Sequence, residues 1–221
     1  GEPLTHPALP EMIGIATDLG FKSAITTNGT LLPSRGQALI DAHVYKVNIS
    51  VHSFEDGADE DYVNYISGCL DFAAKASEMG TLVVLRLWNN GHDEGRNDRT
   101  IAMIHDAFPG AWQENPRGIK VASRVYLEHA DRFDWPDVEA EDQGSIVFCY
   151  GLRDHFGILS DGRVVPCCLD REGVITLGNI FTQEIGEILA NPRAKAMLEG
   201  FSCRRATEEL CRKCGYARRF G

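Results

Sequence analysis

The chain has 221 residues, 43% of them hydrophobic, which is ample to bury a core and too long for a peptide; no internal repeat suggests a solenoid. Lys and Arg number 22 against 32 Asp and Glu, and the formal charge of −10 leaves no whole-chain footprint for a nucleic-acid backbone. No apolar run approaches the roughly 18 residues that cross a bilayer, and no signal peptide opens the sequence, so an acidic cytoplasmic protein without a nucleic-acid or membrane partner is expected.

In chain order, Leu9, Met12, Ile13, Ala16 and Leu19 recur at helical spacing before Gly20 and predict a helix over 9–19. Residues 21–27 are β-rich and end at the turn dipeptide Asn28-Gly29, which predicts a strand. A brief helix near 34–42 leads into a second strand at 45–51. Tyr62, Ile66, Cys69, Leu70, Ala73 and Ala76 share one stripe of a helix over 60–79. A third strand at 82–88, a helix at 98–108 and a fourth strand at 119–128 follow. This alternation predicts an α/β fold with a parallel sheet or barrel, and because it opens on a helix the strand feeding that helix is expected upstream. In such folds ligand loops follow the carboxyl ends of strands, where residues 1–3, 27–29, 50–53 and 86–90 fall.

Residues 131–148 are rich in Asp, Glu and Pro and predict a boundary, giving domains at 1–137 and 145–221. Packing of Phe133 and Trp135 onto the first domain is the plain expectation there. The tail predicts a hairpin, 156–160 and 164–168 joined through Asp161-Gly162, a short extended stretch at 175–179, and a helix at 183–199. Six of the seven cysteines lie after residue 148, too lopsided for a uniform disulfide framework. Cys149, Cys167 and the pair in Cys211-Arg212-Lys213-Cys214 are four thiolates that a compact module can bring to one centre, zinc and an iron–sulfur cluster suiting the set equally. Cys69, on the apolar stripe, reads as a packing residue; Cys168 reads as structural, and Cys203 as a fallback ligand.

Gly1-Glu2-Pro3, with its Leu4-Thr5-His6-Pro7 continuation, resembles the Gly-Gly-Glu-Pro loop of radical SAM enzymes. Thr27-Asn28-Gly29 and Ile49-Ser50-Val51-His52 resemble the loops after the third and fourth barrel strands of that family. Cys149, Gly162 to Cys167, Leu177-Gly178-Asn179-Ile180 and Cys211 with Cys214 resemble its C-terminal SPASM or twitch auxiliary-cluster domain.

The resemblance implies a partial (β/α)6 TIM-like barrel lacking its first strands, joined to a small cysteine-rich domain. It implies an oxidoreductase or maturase that binds S-adenosylmethionine and uses a 5′-deoxyadenosyl radical to abstract hydrogen from a peptide or small-molecule substrate. Carried over residue by residue, Gly1, Glu2 and Pro3 would meet the methionine amino group, Ser50 the ribose, and Thr27, Arg86 and Asn89 the methionine end. Cys149, Cys167, Cys211 and Cys214 would ligate one auxiliary 4Fe–4S cluster, Arg132 would contact substrate at the barrel mouth as a catalytic candidate, and flavodoxin or ferredoxin would supply electrons. One departure stands out: the Cys-x3-Cys-x2-Cys motif for a second 4Fe–4S cluster is absent from these residues and is expected in a missing N-terminal segment, without which the chain should not cleave S-adenosylmethionine. The alternative of a different class is a noncatalytic zinc- or cluster-binding scaffold with a vestigial barrel.

Overall fold

The computed structural model describes residues 1–54, 58–93, 95–116 and 118–220. They form two compact units, residues 1–132 and 133–221, each with its own apolar cluster. Residues 133–137, expected in the first domain, and 138–144, expected between the two, thus belong to the second unit. Among the described residues no helix is long and apolar enough to cross a membrane.

In the first unit, helices and strands alternate as α1 (Leu9–Asp18), β1 (Ala24–Thr27), α2 (Leu32–Asp41), β2 (Lys46–Ile49), α3 (Asp59–Glu78), β3 (Leu82–Asn90) and α4 (Arg96–Ala107), followed by β4 (Gln113–Asn115), β5 (Gly118–Ala122) and β6 (Val125–Asp131). The six strands are ordered β1-β2-β3-β6-β5-β4. β1, β2, β3 and β6 run parallel, β5 is antiparallel to β6 and β4 to β5, and with β1 and β4 as its two edges the sheet is open rather than a closed barrel. The strand expected at 119–128 is therefore a hairpin. Arg124 takes φ 61, the left-handed conformation that reverses the chain, and no glycine or proline marks that turn.

Register assigns the two faces of the sheet. Val47, Ile49, Val83, Leu85, Leu87, Val125 and Leu127 are almost fully buried in the main core with Ile66, Ala73 and Ile104 of the helices; burying such a side chain stabilises by about 1.5–3 kcal/mol. Parallel strands covered on both sides read as continuous apolar runs. These depart from that pattern, because the paired positions Thr26, Asn48, Val84 and Tyr126 form one row of the opposite face and Arg86 with Glu128 the next. Val84, although buried, lies outside the main core cluster.

The second unit contains β7 (Gly157–Ile158), β8 (Arg163–Val165) and β9 (Gly178–Asn179) in one antiparallel sheet, then α5 (Ile185–Leu189), α6 (Pro192–Ser202) and α7 (Glu209–Arg212). The helix expected at 183–199 is broken. Pro192 cannot continue α5 but suits the first turn of α6, and the Asn191 side chain caps α6 by accepting from Ala194 N at 2.7 Å. Phe133 packs on Tyr216, with centroids 5.0 Å apart, and Arg171 lies 5.5 Å above the Trp135 ring. These aromatic residues therefore make contacts within the cysteine-rich unit.

Candidate functional site

Glu2 organises the strand ends of the first unit. Its carboxylate accepts from Leu4 N at 3.0 Å and Thr27 Oγ1 at 2.7 Å through Oε1, and from Asn28 N at 2.7 Å through Oε2. The Thr27 hydroxyl in turn accepts from Gly29 N at 3.0 Å. Gly29 has φ +84, and a Cβ there would stand 2.7 Å from Cys69 Sγ, so the loop crosses α3 at a separation only glycine permits. Tyr65 of α3 donates to Asn28 O at 2.6 Å and approaches Ser50 O at 3.3 Å, joining the ends of β1 and β2. Burial pushes the Tyr65 phenol well above its ordinary range and the Cys69 thiol up to about 12, so both stay protonated.

The next strand end is joined through His52. Its Nδ1 lies 2.9 Å from Arg86 O and 3.3 Å from Trp88 N, and the shorter contact assigns the Nδ1 proton to a bond with the carbonyl. The Arg86 Nε donates to Glu128 at 3.2 Å, and its guanidinium lies 4.4 Å from the Trp88 ring centroid. Its terminal Nη edge has no protein acceptor among the described residues. Asn89 Oδ1 accepts from Asn97 Nδ2 at 3.0 Å, and Asn48 is 6% exposed with Oδ1 unpartnered. Gly1 is exposed, Pro3 and Ser50 are half-buried, and Arg132 is exposed at the last position of the unit. His6 accepts from Ala8 N at 3.2 Å, a local loop role.

Sequence reasoning missed Tyr65, Glu128 and Asn48. The contacts of Tyr65 and Glu128 lie tens of residues away along the chain, and nothing in their local pattern announces them.

The second unit gathers the four cysteines. Cys149, Cys167, Cys211 and Cys214 are half-buried, and each thiol has another of the set close enough to exert a like-charge effect; for Cys211 these are Cys167, Cys149 and Cys214. Desolvation is the leading cause of their upward shifts, which takes Cys167 to about 11 and Cys211 higher still. Main-chain amides face the sulfurs: Gly151 N donates to Cys149 Sγ at 3.3 Å, Leu169 and Asp170 offer theirs to Cys167, and Tyr216 and Ala217 to Cys214. Asp170, 2% exposed, accepts from Val174 N at 2.8 Å and Ile175 N at 2.7 Å, closing the loop that carries Cys167. Cys168 and Cys203 are exposed, and Cys69 belongs to the core of the other unit.

Among the described residues no group of three or more His, Cys, Asp or Glu is set to hold a metal ion. The thiols are neighbours without being a ready-made single-ion site. An all-sulfur donor set with amides directed at the sulfurs fits an iron–sulfur cluster, whose stability and potential depend on such bonds.

Comparison with known proteins agrees with that chemistry. Residues 149–215 match the SPASM family, described as an iron–sulfur cluster-binding domain. A probable GTP 3′,8-cyclase of Sulfolobus acidocaldarius is 35% identical over 83 residues, covering 36% of this chain and 26% of that protein. A GTP 3′,8-cyclase of Chlorobaculum tepidum is 42% identical over 57 residues, covering 25% of this chain and 17% of that protein. The chain thus matches about a quarter or less of the length of these relatives. A crystal structure of BtrN in complex with AdoMet and 2-DOIA superposes with a TM-score of 0.53 at 16% identity, covering 97% of this chain and 69% of that one, a likeness of fold. The match to an iron–sulfur cluster-binding domain thus falls on residues 149–215, the part of the chain that holds the four cysteines.

Proposed function

We propose that this chain is a fragment of a radical SAM oxidoreductase or maturase, with a partial (β/α)6 barrel as its first unit and one auxiliary 4Fe–4S cluster in its second. The observation that carries the reading is the half-buried set Cys149, Cys167, Cys211 and Cys214 with the Gly151 amide on the Cys149 sulfur. Bound there, the cluster supplies one-electron redox chemistry.

In this reading S-adenosylmethionine lies across the strand ends of the first unit and supplies the hydrogen-abstracting group. The Glu2 carboxylate keeps room for one further donor beside its three internal ones, which suits the methionine ammonium. Arg86 holds its Nε on Glu128 and offers the Nη edge to a carboxylate. Gly1 and Pro3 frame the loop, Thr27 and Ser50 line the ends of β1 and β2, and Asn89 extends the rim beyond Arg86. Arg132 contacts the peptide or small-molecule substrate, and a flavodoxin- or ferredoxin-type carrier exchanges electrons with the enzyme. A second cluster needs the Cys-x3-Cys-x2-Cys ligands, which these 221 residues do not contain.

Anaerobic reconstitution with iron and sulfide tests the cluster. The expected product is brown, with stoichiometric iron and sulfide and an electron paramagnetic resonance signal after reduction. A colourless protein that retains zinc and refuses iron would instead establish the scaffold alternative. Equilibrium dialysis against S-adenosylmethionine tests the first unit, where Arg86→Gln should weaken retention while leaving iron content unchanged.

A further inference from the structure

Beside the cysteines, residues 145–147 and 204–206 run antiparallel. Ile146 is bridged to Arg205, Val147 N donates to Arg204 O at 3.0 Å, and Ala206 N donates to Ser145 O at 2.8 Å. Ile146 is 90% exposed. Arg205, its bridge partner, and the preceding Arg204 are both exposed, and neither has a carboxylate partner among the described residues. Of the other described basic side chains of this unit, Arg153, Arg163, Arg171, Arg193, Arg212 and Lys213 are ion-paired, and Lys195 on α6 is exposed without such a pair. The side chains of Arg218 and Arg219 lie outside the described ones. Arg204 also takes φ 53, a left-handed conformation that a non-glycine residue rarely adopts. This crossing is therefore an apolar residue beside two unneutralised cations.

Cys149 follows Ile146 by three residues, which is at most about 11 Å of extended chain. A redox partner seated on Ile146 is thus close to the proposed cluster. The whole chain carries −10, so a carboxylate-rich partner is repelled by most of the molecule and drawn in only where cations stand unpaired. An apolar centre with charged flanks is also the arrangement in which burial gives affinity and charge gives orientation.

We propose that Ile146, Arg204 and Arg205 form the docking face for an acidic one-electron carrier protein, a role that rests on the reading of the four cysteines as cluster ligands. In the exchange, one electron leaves the carrier's reduced flavin, which becomes the semiquinone, and enters the cluster, whose charge falls from 2+ to 1+.

The test uses the reconstituted full chain and flavodoxin as the probe. Stopped-flow bleaching of the cluster by flavodoxin hydroquinone is compared for the wild type, Arg204→Glu/Arg205→Glu, and Arg204→Asn/Arg205→Gln, in which Asn tolerates the left-handed backbone. At low salt the charge-reversed variant should react at least tenfold more slowly and the neutral variant in between. The difference should collapse near 0.5 M salt, where the Debye length falls to about 4 Å. Reduction by methyl viologen radical and iron content should not change. Ile146→Ser should slow the flavodoxin reaction without altering its salt dependence. Equal flavodoxin rates in all variants would overturn the proposal, as would parallel loss of the viologen reaction. A change of oligomeric state on gel filtration would make the face a contact between copies of this chain, and variant-sensitive binding of RNA would make it a nucleic-acid surface; either outcome also overturns it. Fluorescence polarisation of oxidised flavodoxin needs no cluster in this chain, so it tests the face even if reconstitution fails. Wild-type binding lost on charge reversal supports the face there, and no wild-type binding refutes it.

Discussion

Replacing Glu2 by glutamine isolates the bond network at the strand ends. The carboxylate serves two backbone amides through different oxygens, Leu4 N on Oε1 and Asn28 N on Oε2. A side-chain amide has only one oxygen, so either orientation of the glutamine leaves an NH₂ group facing a backbone N–H. Leaving such a half-buried donor unsatisfied costs about 1–3 kcal/mol. At roughly 4 °C per kcal/mol for a unit of this size, the central value is a loss of about 8 °C in its melting temperature. Glu2→Ala removes all three bonds, including the one from Thr27, and should cost more, about 3 kcal/mol. Calorimetry of both variants, with the exposed Glu11→Gln as control, measures this. A Glu2→Gln protein melting within about 1 °C of the wild type would refute the account of Glu2 as the tie between the first loop and β1.

Three further outcomes follow from the same geometry. Burial holds the Cys69 thiol up to about 12 and raises the Tyr65 phenol, so the unfolded chain ionises first. Their contribution to stability is complete below pH 9 and declines as pH rises from 9 towards 12; denaturant midpoints across that range should fall, with a shallower fall in Tyr65→Phe. Serine at any of Cys149, Cys167, Cys211 or Cys214 should sharply reduce iron and sulfide content, while Cys69→Ser and Cys168→Ser should not; full loading of Cys211→Ser with loss in Cys203→Ser would reassign the fourth ligand. Asp170→Asn places an NH₂ group against one of two backbone amides in a buried loop and should destabilise the second unit by about 1–3 kcal/mol, read as an earlier chelator-sensitive melt, whereas an unchanged melt would remove Asp170 from the cysteine scaffold.

What could be read from the sequence had local causes. β1, β2 and β3 are legible because alternation and turn residues frame them, and the ordered cysteines are legible because ligand spacing needs no tertiary knowledge. The β5–β6 hairpin was hidden because Ser123-Arg124 is not a recognisable turn pair, leaving Ile119, Val121, Val125 and Leu127 to read as one alternating run. The break between α5 and α6 was visible in Asn191-Pro192 and was overridden by apolar periodicity on both sides. The resemblance assigned Glu2 to the methionine amine, yet only the fold shows that its carboxylate is shared with Thr27 and Asn28, 25 and 26 residues away. The partners of Arg86 depend on sheet register, which one sequence does not specify.

Because each unit closes its own apolar core, the chain can mature in two stages separated in time. A ribosome adding about 5–20 residues per second needs roughly 4–18 s for residues 133–221 after the first unit is made, and domains generally fold in that order. Isolated helices and hairpins form within microseconds. The first unit therefore has seconds to pack before Cys211 and Cys214 are synthesised.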